Sequence, residues 1–127
     1  MIVGVGIDVV EVERVRELLA RKGERAVARL LTPGEAAYAA ASADSAPRFA
    51  ARLAAKEAAF KALAGNALAR GIGWREIEVV SLGGEPPSLR FHGTARQRAE
   101  ELAVSRAWLT ITHERVAAAA MVVLERD

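Results

Sequence analysis

The chain has no cysteine. Disulfides and thiolate metal sites are thereby excluded, and a reducing compartment suits it. Histidine occurs only at positions 92 and 113, too sparsely for an imidazole cluster that would hold a soft transition metal. Long hydrophobic runs are missing as well. The longest late one, Val116 to Leu124, is nine residues, short of what a helix needs to cross a bilayer. The N-terminus shows no basic stretch followed by an apolar run, the mark of a secretory signal. These absences predict a soluble, cytoplasmic protein without a membrane partner.

What is present is 127 residues, the size of a single domain (1–127) with its own core. The apolar fraction of 52% is inflated by alanine, which has little side chain to bury. A thin core of Val, Ile, Leu and Phe favours further burial through oligomerisation. Net charge is only +2, but positions 14 to 29 carry Arg14, Arg16, Arg21, Lys22, Arg25 and Arg29 against Glu17 and Glu24.

Periodicity predicts an α+β fold in which a long helix packs on an antiparallel sheet. Ile2 to Asp8 alternates as a strand, with Val3, Val5 and Ile7 on one face. Gly4 and Gly6 lie on the other, where another backbone can approach. Asp8 and Glu11 resemble a capping box for a helix carrying Val12, Val15, Leu18 and Leu19 up to about Gly23. A short helix is expected over 24–31, and Thr32-Pro33-Gly34-Glu35 opens another. After a loop over 42–47, the long helix is expected over 48–63, with Phe49, Leu53, Phe60 and Leu63 as its apolar stripe. Strands are expected over 77–81 and 88–91, a helix over 94–103, and a final hairpin over 107–113 and 116–124 turning at Glu114-Arg115. The small residues Ala117 to Ala120 suit close sheet packing or a subunit interface.

The chemistry-bearing residues fall in three segments. Magnesium takes one or two carboxylates and completes its shell with water and substrate phosphates. Asp8 and Glu57 are candidates for those carboxylates, although Asp8 also reads as a plain helix cap and one role does not exclude the other. Glu57 and Lys61, four apart, form either an exposed helix-surface ion pair or the edge of a phosphate site. Lys56 falls at the centre of the apolar stripe, where it must snorkel or meet an anion at the helix's buried edge. Arg52 lies on the adjacent side. Together these cations could cradle a pyrophosphate and its metal. His113 closes a strand, and its imidazole is either a satisfied edge residue or a phosphate and proton partner near neutral pH. His92 is assigned no chemistry. Arg14, Leu18, Arg21, Arg25 and Arg29 recur at helical spacing if the two helices align. They make either a solvated face or a dock for an acidic partner. Few aromatics interleave with these arginines and no nucleic-acid motif is present, so nucleic acid is not the expected partner.

Gly6-x-Asp8-x-x-Glu11-x-x-Arg14, Lys56-Glu57-Ala58-x-x-Lys61-Ala62 and Thr112-His113-Glu114, in this order and before an alanine-rich strand, resemble the short, trimeric holo-(acyl-carrier-protein) synthases of the 4′-phosphopantetheinyl transferase family. The resemblance implies transfer of the 4′-phosphopantetheine arm of coenzyme A to a serine of apo acyl carrier protein, in fatty-acid or polyketide synthesis. It implies Mg²⁺ on Asp8 and Glu57, and Lys61 and His113 on phosphates. It makes Glu57 the first choice for proton acceptor and His113 the second. Arg14, Leu18, Arg21 and Arg25 would meet the carrier protein. A homotrimer with active sites between subunits follows too, and Arg52 and Lys56 would serve a site shared with the next chain. One departure is visible: the turn that often reads Gly-Lys-Pro in the family is Gly84-Glu85-Pro86 here. Two other readings stay open, a non-catalytic coenzyme A or nucleotide binding module and a nucleic-acid binder working through its arginine helices.

Overall fold

The computed structural model describes residues 1–81 and 83–127. In chain order the elements are β1 (Ile2–Glu11), α1 (Val12–Lys22), α2 (Glu24–Leu30), α3 (Pro33–Ala40), α4 (Ala46–Leu63), α5 (Ala67–Arg70), a 3₁₀ turn (Trp74–Glu76), β2 (Ile77–Val80), β3 (Ser88–Phe91), α6 (Gly93–Glu101), β4 (Arg106–His113) and β5 (Ala117–Glu125). One antiparallel sheet has the order β1-β5-β4, and β2 and β3 form a separate hairpin. The α+β architecture with a long helix on an antiparallel sheet is the one expected.

The glycine alternation in β1 sets how α4 meets the sheet. Side chains alternate between faces along a strand, and directly paired residues share a face. Gly4, Gly6, Asp8 and Val10 therefore lie on one face with Ala118, Ala120, Val122 and Leu124 of β5 and with Leu109, Ile111 and His113 of β4. That face receives α4. A Cβ at Gly4 would sit 2.0 Å from the carbonyl oxygen of Ala62, and one at Gly6 would sit 1.8 Å from that of Ala58. Helix backbone thus rests directly on strand backbone, as the glycine reading anticipated.

Alanine fills this core, which corrects the expectation that it would add little. Thirteen of the 18 residues of α4 are buried, seven of them alanines between Ala50 and Ala62. A single apolar stripe is therefore too narrow a description. The sheet covers one side, while Val12 and Val15 of α1 and Leu31 pack with the Ala46–Leu53 end. Ile77 and Val79 of β2 join the cluster around Ala54 to Leu63. Phe60 is only half-buried and meets Trp74 edge-on, with ring centroids 5.1 Å apart.

Two boundaries and two short elements differ from the sequence reading for identifiable reasons. β1 does not stop at Asp8. It stays paired with β5 as far as Glu11 against Ala117, and the first helical N–H, of Val12, donates to the Val116 carbonyl at 2.9 Å. Asp8 is therefore a strand residue and not a helix cap; Glu11 holds the cap position without a side-chain bond. α4 begins two residues early because Pro47 fits the first turn of a helix. α5 and the 3₁₀ turn are too short to leave a periodic signal. The Thr32–Glu35 capping box forms as expected.

Lys56 is wholly buried. Its Nζ lies 2.7 Å from Glu35 Oε1 and donates to the carbonyls of Trp74 (2.8 Å) and Ile77 (2.7 Å). Glu35 Oε1 also accepts from the Thr32 N–H, and Oε2 from the Val79 N–H at 2.8 Å. Burial lowers the proton affinity of Lys56, and the Glu35 carboxylate works against that shift. The anion anticipated at the helix's buried edge is thus Glu35, and the pair ties α3, α4 and β2 together. Breaking such a pair from one side costs about 3–5 kcal/mol.

The other face of the large sheet is apolar and open. Val5, Ile7 and Val9 are 56%, 60% and 62% exposed, and Trp108 and Met121 lie on the same face. No helix among the described residues is long and apolar enough to cross a membrane.

Gly6→Ala should destabilise the fold by at least about 2 kcal/mol, because an added methyl cannot fit against a helix carbonyl without moving the backbone. Gly83→Ala, where no atom lies within 4 Å of the new carbon, serves as control. Urea denaturation of both variants measures the difference. A Gly6→Ala protein as stable as wild type would contradict the backbone contact.

Candidate active site

β1 and α4 bring Asp8, Glu57 and Lys61 together. Lys61 Nζ donates to Asp8 Oδ1 at 3.0 Å and to the Ile7 carbonyl at 2.9 Å. Its side chain is more than half exposed, whereas that of Asp8 is mostly buried. Lys61 therefore pairs with Asp8 across the elements, not with Glu57 along the helix. The second carboxylate oxygen of Asp8, Oδ2, is buried without a hydrogen-bond partner. Glu57 stands beside it. Partial burial is the first cause raising the Glu57 carboxyl above the usual carboxylate range; contact with Asp8 and its charge are the second. Lys61 and Arg14 act in the opposite direction, so Arg14 at the start of α1 is within electrostatic reach of the pair.

Two crowded carboxylates with an orphaned oxygen suit a hard divalent cation. Such an ion would relieve their repulsion and occupy the unsatisfied lone pairs. Among the described residues no group of three or more His, Cys, Asp or Glu residues could hold a metal. Two carboxylates are within the number a protein supplies to Mg²⁺ when water and phosphate oxygens fill the rest of its shell.

A second site opens on another flank of α4. A pocket of about 330 Å³ is lined by Tyr38, Arg48, Arg52, Ser81, Glu85 and His113, among others. Arg52 is buried, and its Nη2 donates to Ser81 Oγ at 2.9 Å while its Nε has no partner. Arg52 and His113 are thus brought into one pocket. Glu57 lies five residues beyond Arg52, about 7.5 Å along the helix and about 140° around it. On the sheet, Asp8 pairs with Ala120 and Ala120 with Ile111, while His113 is two residues further on β4. At about 4.8 Å per strand step, His113 stands on the order of 10 Å from Asp8. Within one chain His113 does not join the carboxylate pair.

The remaining candidates separate. Lys56 spends its three donors inside the protein, which removes it from the phosphate cradle. Arg14, Arg21, Arg25 and Arg29 are exposed, and Leu18 is half-buried. Gly23, at φ 50°, breaks α1 from α2, so these arginines do not form one continuous helical row. His92 contacts Glu78 at 3.0 Å on the surface. A larger groove of about 480 Å³, with Val27, Leu31 and Phe49 in its walls, is mostly apolar and contains none of the candidate residues. Sequence reasoning missed Tyr38, Arg48 and Ser81. The one available signal was the spacing Arg48–Arg52, which puts both guanidinium groups on one flank of α4.

The sequence profile described as the 4′-phosphopantetheinyl transferase superfamily matches residues 4–120. A holo-(acyl-carrier-protein) synthase of Anaeromyxobacter dehalogenans is 47% identical, across 98% of this chain and 97% of its own length. The crystal structure of the Neisseria meningitidis enzyme of the same name superposes with a TM-score of 0.86 at 28% identity, covering 99% of this chain and 100% of that one. The Bacillus anthracis holo-(acyl-carrier-protein) synthase, solved in complex with CoA (3′,5′-ADP), superposes with a TM-score of 0.79 at 30% identity over 100% and 99%. The chain belongs to the 4′-phosphopantetheinyl transferase superfamily.

The Glu57 assignment is open to direct titration. A carboxyl with a raised folded value contributes stability at low pH that is lost as pH rises through that value. A bound cation replaces the proton above it. Carbon-13 NMR should place the Glu57 midpoint above the usual value of about 4.3. In Asp8→Asn it should move down, because one of the two causes is gone while burial stays. An identical midpoint in both proteins would show that Asp8 does not act on Glu57.

Proposed function

We propose that the chain transfers the 4′-phosphopantetheine group of coenzyme A to a serine of apo acyl carrier protein, giving holo acyl carrier protein and adenosine 3′,5′-bisphosphate. The observation that carries this reading is the Asp8–Glu57 carboxylate pair with its orphaned oxygen, on a fold that superposes end to end with holo-(acyl-carrier-protein) synthases. Coenzyme A as co-substrate is supported by its presence in the Bacillus anthracis relative.

Asp8 and Glu57 would hold Mg²⁺, which when bound offsets negative charge on the pyrophosphate. Lys61, already beside Asp8 and reaching solvent, places an ammonium against the phosphate oxygens. The serine hydroxyl attacks the β-phosphorus in line. The new O–P bond forms as the bond from that phosphorus to the bridging oxygen breaks, and the nucleotide departs with the electron pair. Glu57, directly or through a water, accepts the serine proton as the new bond forms. Arg52 and His113 contact phosphate from the second pocket. The exposed arginines at 14, 21 and 25, with Leu18 between them, receive the acidic carrier protein. A cytoplasmic setting in fatty-acid synthesis completes the reading.

The homotrimer belongs to the same proposal. The open apolar face of the sheet supports association. Assembly would also allow the carboxylate group of one chain to face the Arg52–His113 pocket of a neighbour, which separate flanks of α4 prevent within one chain. Sedimentation equilibrium of the wild-type chain is expected to give three copies; a stable, active monomer would contradict the shared site.

The activity is tested by the intact mass of apo carrier protein after incubation with coenzyme A and Mg²⁺. Wild type should add the phosphopantetheine group and release the bisphosphate. Asp8→Ala and Glu57→Gln should lower turnover by about a hundredfold or more while the fold persists. Arg21→Glu should raise KM for carrier protein and leave KM for coenzyme A nearly unchanged. An unmodified carrier protein with wild type, despite coenzyme A binding, would leave only a binding module.

A further inference from the structure

Tyr38 on α3 gathers two cations. The guanidinium carbon of Arg52 stands 4.0 Å from the centre of its ring and that of Arg48 stands 4.4 Å away. Arg48 Nη1 also donates to the Tyr38 carbonyl at 2.8 Å, which fastens the second arginine to the same residue. Two like charges on one ring repel, and the arrangement needs a reason. No ion pair among the described residues involves either arginine. Arg52 is buried, with one N–H on Ser81 and its Nε unpartnered. Burial is the main cause lowering its proton affinity and the charge of Arg48 adds to it, while Tyr38 and Glu35 oppose. A desolvated cation without a counter-charge is costly, and an aromatic face offsets only part of that cost. Tyr38, Arg48, Arg52, Ser81 and His113 all line the same pocket. Glu85 lines it too and pairs with neither arginine.

We propose that Tyr38 is a positioning residue that holds Arg48 and Arg52 side by side as a two-pronged clamp for a phosphate group of coenzyme A. This rests on the coenzyme A reading above. Phosphate is the matching anion because planar guanidinium forks donate in parallel pairs to its oxygens, and two forks can neutralise a doubly charged group. Without the ring, Arg48 keeps only its bond to the Tyr38 carbonyl and Arg52 its bond to Ser81, and their mutual repulsion is offset less, so more of the clamp must be ordered at each binding event. The ring, not the hydroxyl, carries the role: both guanidinium groups lie over the ring.

Calorimetric titration of coenzyme A into wild type, Tyr38→Phe, Tyr38→Leu and Tyr38→Gln tests this. The side chain is partly exposed, so the variants should fold, and thermal melting checks that each does. Tyr38→Leu and Tyr38→Gln should bind coenzyme A about five- to tenfold more weakly, the loss that a desolvated cation–π contact implies. Tyr38→Phe should stay within about twofold of wild type because the ring is kept. In the transfer assay KM for coenzyme A should rise in the Leu and Gln variants, with kcat and KM for carrier protein held, a split that general loosening of α3 would not produce. Wild-type affinity in Tyr38→Leu or Tyr38→Gln overturns this inference alone. Tyr38→Phe as weak as Tyr38→Leu overturns it as well. A wild-type chain that binds no coenzyme A overturns it together with the reading beneath it.

Discussion

Helix α4 lies backbone to backbone on strand β1, and the rest of the molecule depends on that contact. Gly4 and Gly6 leave no side chain between strand and helix, and the alanines of α4 leave little on the other side. The short separation lets the next inward residue of the strand, Asp8, reach Glu57 and Lys61, which directly precede Ala58 and Ala62 on the helix. A bulkier residue at position 6 would lift the helix and part the two carboxylates. The same closeness explains how an alanine-rich chain obtains a core: dense contact replaces bulk, since interiors gain from close packing as well as from apolar area.

Three cations of α4 show how burial sorts like residues into different tasks. Lys56 faces inward, meets Glu35 and two carbonyls, and is consumed by the fold. Arg52 is nearly as buried, but its direct partners are only a hydroxyl and an aromatic ring; Glu35 acts on it from a distance, and it faces a pocket without an ion pair of its own. Lys61 reaches solvent and shares itself between Asp8 and a carbonyl, which leaves a donor available. A buried charge that is fully paired holds structure, whereas one left unpaired points to an absent anion. The acidic pair mirrors this, for Asp8 Oδ2 is buried without a hydrogen-bond partner.

Much of this was legible in the residues. The glycine alternation, the Thr32–Glu35 cap and the run of α4 are local patterns, and local patterns survive folding. Asp8 and Glu57 stand out in the sequence by their chemistry, and the structure puts them side by side. The helix-cap reading of Asp8 failed because strand pairing with β5 outlasts it as far as Glu11, a long-range contact with no local signature. The position of Lys56 at the centre of the apolar stripe calls for an anion, and phosphate is the expected one; its partner in the fold, Glu35, is hidden behind a capping role that it also fulfils. Tyr38 carried no signal, since its meaning comes only from the docking of α3 against α4. The arginines of α1 and α2 read as one row until Gly23 is seen to break it.

The central claim is that two flanks of one helix divide the work: carboxylates and Lys61 for cation and pyrophosphate, Arg52 and His113 for a further phosphate contact. Crystals grown with Mn²⁺ and coenzyme A test it most directly. The anomalous signal of the metal is predicted between Asp8 and Glu57, with a coenzyme A phosphate on Arg52. A metal bound elsewhere, or a nucleotide seated in the apolar groove beside Leu31 and Phe49, would contradict the account.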